Sequence, residues 1–429
     1  MRFSTTLRTH AAVLAFPVTG FFFAYVFFTI KGRIGHFASL PWPAEVASYA
    51  IHAPVPLAAA AAAGLAAVEA TRLRTLGVWE MGPARSALRV AVQPVLVVVL
   101  TMAGLIAGVT VGALSIAGVL PDAYVLQLFG MVVVLLTAHA VIGFVVGRRL
   151  HASYSAPLVS IAVFIGVSFP LGTSAWWTHH VTGAVGQVGF GEAYSAPMTI
   201  AAVLPTVCLA LALVLAIGPR HIRIGAVAVS VLVAGSGLLG AYGITREWTS
   251  FAPAAKGLAP VTCQGRAPEV CMPTAGAGDL EEIQTDLSSM TRKLRTKGII
   301  EEVPSRITDI SVSDPRRLEA IGTEWSLDLA AGSPAGIPWE DVAIVVVGMP
   351  CKNPNWNTLH YNTLWTARTM GVAGDYLGWL SRESSSFRKG KGEEELLTEM
   401  DRVDGLTLGE QKTWYIGQRR LSCKAGQSG

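Results

Sequence analysis

Along its first 243 residues the chain alternates between long apolar runs and short polar breaks, and after that it changes character. Seven runs read as membrane-spanning helices: 11–30, 50–68, 90–116, 123–147, 156–171, 198–217 and 224–243. Roughly twenty apolar residues at the helical rise match the hydrocarbon thickness of a bilayer. The first run is followed by charged residues, Lys31 and Arg33, and is expected to be retained rather than cleaved as a leader. Pro17 inside it is tolerable in a membrane helix. The second run is rich in alanine and suited to close helix packing. A polar linker with Pro41, Trp42 and Pro43 precedes it, and 172–197 reads as a wetter loop.

The tail, 245–429, has the mixed pattern of a folded domain. Leu280, Ile283, Leu287, Met290 and Leu294 form one stripe, which predicts a helix over 279–296 with Gly298 as its stop. The β-branched run 342–347 predicts a buried strand. Further helices are expected over 357–380 and 408–419, with a polar loop at 384–395. The predicted fold is therefore an α-helical polytopic membrane domain, 1–244, followed by an α+β domain, 245–429.

Composition agrees with this class. Of 429 residues 52% are hydrophobic and only 14% charged, with mean hydropathy +0.48, which excludes a large soluble enzyme. The net charge of +4 comes from basic residues beside the apolar runs, so no nucleic-acid partner is expected. Their distribution sets an orientation. One side of the alternating loops receives Arg2, Arg8, Arg72, Arg74, Arg85, Arg89, Arg148, Arg149, Arg220 and Arg223. The other receives Lys31 and Arg33 and then no Lys or Arg in its next two loops. The positive-inside rule places the amino terminus in the cytoplasm, and seven crossings leave the tail outside the plasma membrane.

Cysteine usage fits an exported tail. Cys263, Cys271, Cys351 and Cys423 lie in it, an even number suited to an oxidising compartment, while Cys208 sits alone in the sixth run. Of the three possible connectivities, Cys263–Cys271 with Cys351–Cys423 is the preferred one.

Candidate chemistry is sparse. There is no G-x-x-x-x-G-K-[ST] phosphate loop, and Gly276-Ala277-Gly278 lacks the rest of a dinucleotide fingerprint. Ser386-Phe387-Arg388-Lys389 matches S-x-x-K without its companion motifs. No H-E-x-x-H is present, and His360 is the single histidine of the tail. His179-His180 beside Trp176-Trp177 fits an aromatic interface belt better than a metal site. His139, deep in the fourth run, reads as a helix–helix hydrogen-bonding residue. Transporters that couple to ions usually bury carboxylates or histidine relays, so any driving energy is expected from another subunit. No enzymatic activity, cofactor or metal is expected in this chain.

The segment 70–89 is the most substantial polar interruption on the basic side. Arg72, Arg74, Arg85 and Arg89 carry charge, and Leu73, Leu76 and Trp79 recur at near-helical spacing. Such a segment can lie on a membrane surface and offer a foot to a soluble partner; the plainer reading is an anchor that fixes topology. It resembles the coupling region of ABC-2-type transporter permeases. Val270-Cys271-Met272-Pro273, Trp379-Leu380, and Leu408 through Gln411 and Trp414 to Cys423 resemble, in that order, the Cys-containing C-terminal domain of actinobacterial ABC-permease-like membrane proteins. That resemblance implies the membrane half of an ATP-driven exporter, paired with a separate ATP-binding subunit and working as a dimer of membrane subunits among membrane lipids. Trp79 and Leu76 would supply apolar contact to the ATPase, and Arg72, Arg74, Glu80 and Arg85 electrostatic register. The competing expectation is a non-transporting anchor for an extracytoplasmic binding or sensing domain, and a weaker third is a membrane-tethered envelope hydrolase.

Overall fold

The structure, a computed structural model, describes residues 10–38, 40–79, 87–173, 175–216, 223–249, 252–313, 319–321, 323–329, 337–348, 356–383 and 391–424. They fall into two compact units, Met1–Val188 with Glu192–Leu258, and Ala259–Gly429 with Gly189–Gly191.

The first unit is a helical bundle: α1 (Ala11–Ile34), α2 (Pro43–His52), α3 (Pro54–Thr75), α4 (Ala87–Ala117), α5 (Ala123–Arg149), α6 (Ala152–Ser168), α7 (Trp176–Val181), α8 (Ala196–Leu215) and α9 (Arg223–Thr245). Six of these, α1, α3, α4, α5, α8 and α9, are long and apolar enough to cross a bilayer. The seventh expected span, α6, is shorter at 17 residues and passes into a 3-10 turn at Phe169–Gly172. Pro170 explains its end, because a proline ring disfavours helical geometry in the residue before it. α2 corrects the expected linker: Pro43 opens this helix at its first turn, where its missing N–H costs nothing.

α3 and α5 are the closest-packed pair. A Cβ at Gly143 would collide with the backbone of Ala63, and one at Gly147 with that of Ala67, so glycine on α5 lets the two backbones touch. Ser160 of α6 donates to the carbonyl of Ala60 at 3.1 Å and joins the same block.

Contacts at the two ends of the bundle fix the direction of each helix. The N–H of Ala11 donates to Glu69 near the end of α3 at 2.6 Å, and Thr71 donates to the carbonyl of Gly147 at 3.1 Å. Arg149 donates to the carbonyl of Ala216 at 3.2 Å, closing the ends of α5 and α8. At the opposite end Gln127, near the start of α5, donates to the carbonyl of Tyr194 just before α8 at 3.1 Å. α5 and α8 therefore run parallel, and α6 has to carry the chain back between the two ends. The first helix thus starts at the arginine-bearing end, and the last helix ends at the opposite one, where His180 lies against the carbonyl of Thr249.

The second unit is α+β. Its five-stranded sheet has order β1-β2-β3-β5-β4, with β1 (Val261–Gln264), β2 (Glu269–Pro273), β3 (Arg306–Asp309), β4 (Glu319–Ile321) and β5 (Glu324–Leu327). The central β2–β3 and β3–β5 pairs are parallel and the outer pairs antiparallel. Buried Asp309 ends β3 and accepts the N–H of Leu329 at 3.0 Å, tying down the chain beyond β5. The helices are α10 (Leu280–Thr296), α11 (Ile310–Ser313), α12 (Trp339–Gly348), α13 (Trp356–Met370), α14 (Ala373–Glu383), α15 (Lys391–Asp404) and α16 (Leu408–Lys424).

Three expectations change here. The run 342–347 is a helix, α12, buried through Val342, Ala343, Val345, Val346 and Val347. A short run apolar on every side suits either a buried strand or a buried helix, and periodicity does not separate them. The expected helix 357–380 is two helices, broken at Gly371, whose φ of 93° leaves helical space. Part of the expected polar loop 384–395 is helical, because α15 begins at Lys391 with Glu393 and Glu394 in its first turn.

Candidate functional site

Two polar assemblies occupy the two ends of the bundle. The arginine-bearing end holds part of the expected docking segment. Its described portion is not a separate surface helix: α3 continues through Arg72 and Arg74 to Thr75, and a turn follows at Leu76–Trp79. α3 runs on because Ala66, Ala67, Ala70 and Thr71 are still buried there. Arg72 is half-exposed, with its guanidinium 3.9 Å from Glu69 one turn earlier. Arg74 donates to the carbonyl of Arg148 at 3.4 Å. Leu76 is 60% exposed, whereas Trp79 folds back onto α5. Its ring meets Phe144 edge-on at 6.5 Å, and the guanidinium of Arg148 lies over it at 4.2 Å. The structure thus brings Arg74 and Trp79 together on the end of α5 and leaves Arg72 and Leu76 facing outward. Glu80 and Arg85 lie outside the described residues.

Glu69 is the buried centre of this end. Only 6% of its side chain is exposed, and it takes the Ala11 N–H beside His10, whose ring caps α1 at the N–H of Ala12. The first span is thereby fastened to α3 immediately before the exposed turn.

The opposite end is built from α2 and the irregular stretches 182–188 and 192–195, and sequence reasoning missed α2 and its contacts. Irregular backbone among apolar helices needs partners for its polar groups. α2 supplies them from one face. Trp42 donates its indole N–H to the carbonyl of Glu192 at 2.7 Å. Ser48 accepts the N–H of Val188 at 3.2 Å. His52 lies with Nδ1 2.5 Å from the carbonyl of Val185, an acceptor that fixes the ring proton on that nitrogen. Tyr194 joins the two stretches by donating to the carbonyl of Gly186 at 2.6 Å.

This lacing sets Glu45 of α2 against Glu192. Burial pushes the Glu45 carboxyl up to about 8, and the negative charge of Glu192 adds to the effect. Glu192 is itself 2% exposed, and burial also raises the Tyr194 phenol. Such a carboxyl can hold a proton at neutral pH and release it under mildly alkaline conditions. The apolar positions Val46, Ala47, Ala50 and Ile51 around Glu45 were the helical stripe that could have revealed α2.

The histidines of the bundle singled out in the sequence each lie against a backbone carbonyl. His179 and His180 place Nε2 2.9 Å from the carbonyls of Thr173 and Thr249, edge-on to Trp176 and Trp248. His139 donates to Leu135 one turn back at 2.8 Å, within its own helix rather than between helices. Ser386 and Lys389 lie outside the described residues. In the second unit Cys263 and Cys271 form a disulfide. Cys351 and the side chain of Cys423 lie outside the described residues.

Set beside known proteins, the chain matches no protein-family model, and neither the curated proteins nor the solved structures contain a match to it.

Proposed function

We propose that the chain is the membrane subunit of a transporter driven by a separate ATP-binding subunit, which engages the arginine-bearing end from the cytoplasm. One observation carries this reading: Arg72, Arg74 and Leu76 end a helix that is backbone-to-backbone with α5, and Trp79 is clasped by α5. A force on the exposed turn would reach α3 and α5 together rather than be lost in a loose loop. The same rigid pair extends toward the end covered by α2 and stretches 182–188 and 192–195. In this reading that cover is displaced when the partner closes, and the second unit lies on the extracytoplasmic side. In this reading the transport is export, with two membrane subunits per assembly.

Co-purification of the full chain with its P-loop ATPase tests the reading. Arg74→Glu with Leu76→Ala should abolish association and efflux while the bundle stays folded. Association unchanged in that variant would overturn it.

A second reading has its own observation. An open groove of about 630 Å³ in the second unit is lined by Tyr361, Glu394, Glu395, Thr398, Glu399 and Gln418. Its acidic rim favours a binding unit for a cationic partner, with the bundle as anchor. Binding of such a partner, with no ATPase association at all, would decide for this alternative.

A further inference from the structure

The pairing of β1 with β2 sets Cys263 directly across from Cys271. Glu269 is two residues before Cys271 on the same strand, so all three side chains share one sheet face. Val270 and Met272, on the opposite face, belong to the core of the unit. One sulfur from each cysteine and one oxygen of Glu269 lie within 4.8 Å of one another, the only such trio of potential metal ligands among the described residues. Access is graded, with Cys263 exposed on the outermost strand and Cys271 4% exposed. Arg306 of β3 holds a single oxygen of Glu269, donating to Oε2 through Nε at 2.8 Å and approaching it with a second nitrogen at 2.7 Å. That arrangement leaves Oε1 available while Arg306 orients the carboxylate, as outer partners do for metal ligands.

We propose that Cys263, Cys271 and Glu269 form a redox-gated site for a thiophilic divalent cation, with a donor set of two sulfurs and one oxygen that suits zinc. In the oxidised chain the sulfurs are bonded to each other and the site is closed. A dithiol reductant opens it: its two sulfurs join as a disulfide, and the two electrons and two protons pass to Cys263 and Cys271 as thiols. Zinc then displaces both thiol protons to the solvent and binds the two thiolates and Glu269 Oε1. Three protein ligands leave the fourth tetrahedral position for water, the pattern of an exchangeable rather than a closed structural site. A chain whose second unit faces a reducing compartment would carry the ion, and one facing an oxidising compartment the disulfide.

The test uses full-length protein in detergent, reduced with a phosphine and titrated with zinc against a chromophoric chelator. Cobalt(II) substitution provides a sulfur-to-metal charge-transfer band as a second readout. The reduced chain should bind one zinc that the oxidised chain does not bind. That zinc and the cobalt band should vanish in Cys263→Ser/Cys271→Ser and persist in Cys351→Ser/Cys423→Ser. Glu269→Gln, which keeps both cysteines, should weaken binding by about tenfold or more. Zinc uptake by the reduced chain no greater than in Cys263→Ser/Cys271→Ser would overturn the proposal. Full affinity in Glu269→Gln would remove the carboxylate from it.

Discussion

The guanidinium of Arg148 lies 4.2 Å from the ring centroid of Trp79, so the turn after α3 is fastened to the last turn of α5. Trp79 sits on a bridge between two helices whose backbones already touch at Gly143 and Gly147. The fold thus couples the arginine-bearing end to the longest-packed pair in the bundle.

That clasp has a measurable strength. A partly desolvated cation–π contact contributes about 1 kcal/mol. Arg148→Ala and Trp79→Ala should each lower the thermal unfolding temperature in detergent. The double variant should fall short of the sum of the single losses by roughly that coupling. Additive losses would mean that the two side chains do not support one another.

The contact between α3 and α5 gives a sharper contrast. Gly143→Ala forces a methyl into the backbone of Ala63 and should destabilise the bundle by about 2 kcal/mol or more. Gly130→Ala, on the same helix, meets nothing within 4 Å and should be neutral or slightly stabilising. Thermal unfolding of the two variants side by side checks the difference.

Glu45 predicts a pH dependence of definite sign. Its carboxyl is raised to about 8 in the folded chain, against about 4.3 for an exposed glutamate. The folded state therefore binds the proton more tightly, and stability falls as pH rises between these values, then levels off above 8. Glu45→Gln imitates the protonated form and should remove this fall. At pH 9 the variant should be more stable than the parent by roughly 2–4 kcal/mol, and near pH 5 by only about 1 kcal/mol or less. Thermal unfolding across pH 5–9 is the measurement.

The long apolar runs were legible because length and composition alone define a span. α1, α3, α4, α5, α8 and α9 each overlap one of them. α2 was hidden because Pro41, Trp42 and Pro43 punctuate the chain like a linker, although Pro43 is where the helix starts. Glu45 and Glu192 lie about 150 positions apart, and no local pattern announces that Trp42, Ser48 and His52 lace their segments together. Trp79 was legible as a notable residue but not as an inward-facing one. That direction depends on Arg148 and Phe144, which only tertiary packing supplies. In the second unit the amphipathic α10 was readable from its stripe, whereas α12, apolar on all sides, carried no period to tell helix from strand.

Side-specific thiol labelling in intact cells and inverted vesicles tests the account most directly. Leu76 and Leu120 lie at opposite ends of the bundle and are 60% and 84% exposed. In a background with the native cysteines replaced, Leu76→Cys should react with a membrane-impermeant maleimide only in inverted vesicles. Leu120→Cys should react only in intact cells. Labelling of both from one side would contradict a bundle that carries its arginine-bearing turn to the cytoplasm and its opposite end to the exterior.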